Sequence, residues 1–192
     1  MKTGTGLSSM ATILAMAATL AVSSHSLPVH SCGLEPSVNG GFTISYPGSL
    51  EVAVAVAKAR SDGLLPAASP DAMTNEVRLQ HMLADLRRLQ ARLNKTRDKI
   101  PDGNAAPFSL VLVGPALWSH YRMESTHVEA HYHADAPIDG EVVVLTHHAV
   151  LRALLNGRLT TQKAMDLGLL AFSGSNTYPV QKAFETGLQL KS

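Results

Sequence analysis

The sequence predicts a single domain that mixes helices with strands, and three observations carry that prediction. Leu79, Leu86, Leu93 and Ile100 recur every seventh residue, and Met82, Leu83 and Leu89 fill the same stripe, so a long amphipathic helix runs through this part of the chain. Two short apolar runs, Phe108 to Val113 (FSLVLV) and Glu141 to Thr146 (EVVVLT), read as strands. From Glu141 to Ser175 the order is strand, helix, glycine turn, short helix, strand. The 192 residues carry a net charge of +1, which gives no global field for nucleic acid. With 45% hydrophobic and 16% charged residues the chain is not wholly disordered. Without a leader it is about one domain long.

The first 25 residues read as a signal peptide. Lys2 gives a short positive start, and Met10 to Val22 is an apolar run too short for a comfortable membrane span. Ala21-Val22-Ser23 offers a cleavage site and Ser24-His25-Ser26 a second; an uncleaved anchor is the alternative. The expected destination is the periplasm or the cell exterior, with no stable transmembrane span. Cys32 is the only cysteine, so no internal disulfide forms and the core must hold the domain. Val29-His30-Ser31-Cys32 is a poor lipoprotein match, because His30 is bulky and polar. A free or intermolecularly paired thiol is favoured.

Residues 26–69 read as an N-terminal extension. Phe42 to Tyr46 alternates as a short strand, and Pro47-Gly48 ends it. Ser49 is placed to cap a helix with Glu51 near its start, Lys58 and Arg60 near its end and Gly63 as a stop. LEVAVAVAKA also alternates as a strand, but the caps favour the helix. Residues 70–192 form the main domain. Its long helix begins at Ser69 or Asp71 and ends near Lys99. The basic back of that helix, with Arg78, Arg87, Arg88, Arg92, Lys95, Arg97 and Lys99, reads first as a solvated face and second as a face for anionic lipid or an acidic partner, such as an envelope protein. Asn94-Lys95-Thr96 fits a glycosylation triplet, though on a helix. After FSLVLV and the Gly114-Pro115 turn, Ala116 to Met123 reads as a short helix or an irregular segment, with Trp118 as a core plug.

Six of the nine histidines lie between His120 and His148. As a strand, Thr126 to His133 puts His127, Glu129, His131 and His133 on one face and Val128, Ala130 and Tyr132 on the other. His127, His131 and His133 are therefore candidate metal ligands of a type suited to zinc, copper or nickel. Same-face neighbours stand about 7 Å apart, so help from His120, His147 or His148 is required. HVEAH is not the zinc-protease arrangement, there is no G-x-S-x-G elbow, no phosphate loop and no dinucleotide fingerprint. The expectation is a protein that is not an enzyme and uses no cofactor.

In the segment from Glu141, Thr146 is placed to cap a helix with Val150, Leu151, Leu154 and Leu155 on its apolar face. Gly157 stops it, Thr160 or Thr161 caps a short second helix, Gly168 ends that one, and Leu169 to Phe172 returns as a strand. Tyr178 to Leu190 has a helical pattern. Leu155-Asn156-Gly157-Arg158-Leu159, Gln162-Lys163-Ala164 and Gly168-Leu169-Leu170-Ala171-Phe172-Ser173-Gly174 together resemble the sterol carrier protein family over Glu141 to Gly174. The resemblance extends in element order from Met73 to Leu190. It implies an α+β fold, a mostly antiparallel sheet covered by helices. It implies an apolar tunnel for a lipid or other apolar small molecule, with no catalytic residues. By matched position Leu151, Leu154, Leu155, Met165, Leu167, Leu170 and Phe172 would line or support that tunnel. Leu169 stands where the family often has a basic residue. The export signal and the histidine strand are not hallmarks of the family.

Overall fold

The computed structural model describes residues 46–67, 75–99 and 106–189. Strand β1 (Phe108–Leu112) is buried along its whole length because it lies in the middle of a sheet. Its neighbours are β2 (Leu117–Met123) and β4 (Val142–Thr146), and the edges are β3 (Val128–Ala134) and β5 (Leu170–Ser173), in the order β3-β2-β1-β4-β5. The β1–β4 pairing is parallel and the other pairings are antiparallel. Both central strands are buried on both faces, which is why they read as unbroken apolar runs. The fold is α+β, with a mostly antiparallel sheet, as the resemblance implied.

Helices α2 (Asn75–Thr96), α3 (His148–Leu155), α4 (Thr161–Asp166) and α5 (Tyr178–Leu188) follow the expected order. The apolar stripe of α2 faces the core: Met82, Leu86, Leu89 and Leu93 are buried and Leu79 and Leu83 half-buried, while Ile100 lies outside the described residues. Phe184 of α5 stands edge-on to Phe108 and Phe172, with ring centroids 5.5 Å from each, so α5 lies over the face of Phe108, Leu110 and Tyr121. Gly187 lets α5 approach α2, since a Cβ there would stand 3.2 Å from Leu93 Cδ2. Asp85 joins α2 to α3. Its carboxylate accepts from Arg88, His148 and Arg152, each at 2.9 Å. Burial alone would raise its pKa, but these three hydrogen bonds outweigh burial and hold it well below the usual carboxylate range.

The opposite face is partly covered by helix α1 (Ser49–Ser61), whose Val52, Val56 and Ala59 join the same apolar core as the main domain. The segment read as an extension is thus packed on the sheet. Tyr46 meets the Trp118 ring edge-on at 5.5 Å, and Trp118 is a core plug. The expected strand from Phe42 and the leader lie outside the described residues, as does Cys32.

Several local expectations are corrected. Gly48, in the left-handed region at φ 89, is the N-cap of α1. Ser49 is the first helical residue, and its buried hydroxyl has no hydrogen-bond partner among the described residues. Leu117 to Met123 is a strand, neither helical nor irregular, because the Gly114 turn (φ 106) and Ala116 (φ 56) reverse the chain into a hairpin with β1. Thr146 is the last residue of β4, and its hydroxyl donates to Leu169 O at 3.1 Å. His147 caps α3 instead. Thr160 caps α4 by accepting from Lys163 N, and Gly157 and Gly168 follow α3 and α4 with left-handed φ of 67 and 68.

Candidate functional site

Leu151, Leu154 and Leu155 are fully buried, because the apolar face of α3 turns inward beside α2. Leu170 is buried on β5, opposite Thr146. Phe172, opposite Val144, is only partly buried, because β5 is an edge strand and Phe184 covers one side of the ring. Met165 packs partly against the core. Leu167 is 40% exposed, because it is the C-cap of α4 and the Gly168 turn carries the chain away from it. The neighbouring Leu169 goes inside in its place. Six of the seven residues thus touch the apolar interior and Leu167 stands outside it.

The histidine strand alternates as its sequence predicts. Glu129, His131 and His133 are exposed and Val128 is buried. His127 precedes the strand. His133 is the extra residue of a β-bulge: Trp118 pairs with Ala134 and Ser119 with Tyr132, which leaves His133 unpaired with φ 66. Among the described residues no three His, Cys, Asp or Glu side chains stand as a group able to hold a metal ion, so His127, His131 and His133 are a row and not a cluster.

A different polar group, not anticipated from the sequence, crosses the sheet on the α1 face. Ser109 donates its hydroxyl proton to Glu141 Oε2 at 2.8 Å and accepts from Ile138 N at 3.2 Å. His120 Nδ1 lies 3.0 Å from the same hydroxyl. With the hydroxyl proton committed to Glu141, the imidazole must be the donor, so the proton sits on Nδ1 and Nε2 carries the lone pair. Burial lowers the His120 pKa, Glu141 pulls it up and His131 lowers it again; the net shift is downward. This is not a nucleophile triad. Ser109 is fully buried, and the carboxylate binds the serine, whereas a triad needs it on the far nitrogen of the histidine. The sequence held one signal: Ser109 is the single polar residue in FSLVLV.

The basic back of α2 is partly used within the fold. Arg87 lies over the Tyr132 ring at 6.0 Å, and Arg88 binds Asp85 and Asn156. Gln90 Nε2 donates to Val128 O at 2.7 Å, Asn94 Oδ1 accepts from Val128 N, and Tyr132 donates to Gln90. No described helix is long and apolar enough to cross a membrane.

These features define a class: an α+β domain with one five-stranded mixed sheet, helices packed on it and the strand–helix–helix–strand unit β4–α3–α4–β5. Among solved structures the chain is similar to the UbiJ-SCP2 ubiquinone synthesis protein, at 13% identity and a TM-score of 0.42, over 58% of this chain and 96% of that one. No protein-family model and no curated protein matches the sequence. The sheet order and strand pairings of this chain by themselves make it an α+β fold.

Proposed function

We propose that the chain is a non-catalytic binding protein for an apolar small molecule or lipid, acting as a carrier, sensor or accessory domain outside the cytosol. The observation that carries this reading is the interior between the sheet and the helices. There Leu151, Leu154 and Leu155 belong to one apolar core with Phe108, Leu110 and Phe184, and the half-buried Phe172 stands where that core reaches the sheet edge. The sequence resemblance over Glu141 to Gly174 supports it. The N-terminal apolar run supports export. Organic extraction of the purified protein followed by mass spectrometry tests the reading. A lipid or other apolar molecule at about one per chain is expected, with retention reduced by Phe172→Ser. Protein that is empty and takes up no fatty acid, fatty alcohol or sterol would sink it.

A second reading, metal handling on the histidine face, has one observation in its favour. Ser109 fixes the His120 tautomer and leaves Nε2 unprotonated, with the ring stacked 6.4 Å from that of the exposed His131. Metal analysis before and after changing His127, His131 and His133 to Ala decides it; unchanged content rules the row out.

A further inference from the structure

His147 and Arg60 meet on the α1 face, at the end of β4. His147 is extended, at φ −116 and ψ 150, and its Nδ1 accepts the Ala149 N–H at 3.0 Å. A backbone N–H can only donate, so Nδ1 holds the lone pair and the single proton of the neutral ring sits on Nε2. Turning the ring over would set a carbon against the Ala149 N–H and lose the cap. Nε2 is therefore a donor. It faces Arg60 Nη2 at 3.4 Å, and a guanidinium offers donors only. Two donors thus confront each other, and none of the described residues sets an acceptor between them.

Arg60 shows the same deficit independently. Among the described residues its buried Nε has no hydrogen-bond partner and no carboxylate pairs with its guanidinium. The acids on neighbouring elements are engaged elsewhere: Asp62 by Lys58, and Asp85 by Arg88, His148 and Arg152. The charged neighbours that act on His147 are Arg60 and His148, and both oppose its protonation. The Gly114 turn lies against the ring, close enough that a Cβ there would stand 3.6 Å from Nε2. Fixed, convergent, unanswered donors beside a permanent positive charge are what an oxyanion completes.

We propose that Arg60 and His147 bind the oxyanion of a carboxylate or phosphate group, one oxygen facing Arg60 Nη2 and another His147 Nε2–H. The site is independent of the apolar-ligand reading, because it lies across the sheet from Phe184 and α5. It serves either a free ion or the head group of an amphiphile.

Calorimetric titration of the full chain with inorganic phosphate, acetate and dodecyl phosphate tests this. Arg60→Met keeps the aliphatic stem, and His147→Asn keeps an oxygen to cap α3 while removing the Nε2 donor. At least one probe should bind, and each substitution should weaken it tenfold or more with the thermal midpoint preserved. Dodecyl phosphate binding tenfold tighter than inorganic phosphate assigns an amphiphile head group; equal affinities assign a free ion. The His147 ring resonances of the unaltered protein should move on addition of the same probe, which requires no variant. If no probe binds, water alone serves the two donors and the proposal is overturned. Binding unchanged in both variants, or a still His147 resonance, overturns it as well.

Discussion

The two faces of the sheet hold their polar atoms in different ways. On the face toward α5, the polar side chains close on backbone: Ser119 donates to Leu110 O and Thr146 to Leu169 O, among Phe108, Leu110 and Tyr121. On the face toward α1, Ser109, His120 and Glu141 pair with one another beside Val111 and Trp118. A hydroxyl that bonds its own sheet leaves a dry, apolar surface behind it. A side-chain chain that runs to the exposed His131 keeps a route to water and can hold charge. The first face is apolar and closed on itself, and the second carries titratable groups within reach of water.

The largest effect expected is on the dry face. Phe184→Ala removes the ring shared by Phe108 and Phe172 and should lower stability by about 3–5 kcal/mol in urea unfolding. A loss smaller than that of Ser109→Ala would show that the apolar face is not the one that holds the fold.

Acid should act next, and on the α1 face. His147 is pushed down to about 4, by burial first, then by Arg60 and His148. Its folded pKa lies below the unfolded value of about 6.5, so the fold favours the neutral ring. That contribution is complete above about pH 6.5 and is lost as pH falls through 4, roughly 3 kcal/mol at pH 4. Asp85 has the usual carboxylate sign. Its contribution is present above the ordinary carboxylate pKa of about 3.9 and is lost only below it. Stability measured between pH 7 and 4 should therefore fall in the unaltered protein and much less in His147→Asn.

Ser109→Ala should cost about 1–2 kcal/mol, because it strips Glu141 and the Ile138 N–H of a shared partner. It should also shift the His120 titration, read by NMR, while Phe184→Ala should leave that titration in place. The smallest change has the opposite sign. His133→Gly relieves the left-handed backbone of the bulge and should raise stability by up to about 1 kcal/mol.

Local periodicity was legible where one pattern dominated. The stripe of α2, the alternation of β3 and the unit β4–α3–α4–β5 all follow from residues within a few positions of each other. Leu117 to Met123 was not legible, because LWSHYRM buries residues on both faces and so does not alternate cleanly. Ser49 and Thr146 are good caps in the abstract, but Gly48 and His147 had the backbone angles those positions needed. The buried leucines of α3 were readable as apolar and inward. Leu167 was misplaced because a one-residue shift at the Gly168 turn exchanges it with Leu169. The Ser109–Glu141 bond joins residues 32 apart through a parallel pairing that no local pattern encodes. Arg60 and His147 are 87 apart and meet only because α1 returns to the sheet.

Gln90 and Asn94 have a consequence beyond docking α2. They bind both backbone groups of Val128, at the start of an edge strand. An edge presents unmet N–H and C=O groups that invite strand-by-strand growth between molecules. Here the first rung is already occupied, and at the other end His133 bends the strand out of register. Between these two stops only a few residues of β3 remain straight enough to template a neighbour. Strand-by-strand growth along this edge is therefore blocked at both ends of β3 while α2 stays in place, and release of that helix would uncover the first rung.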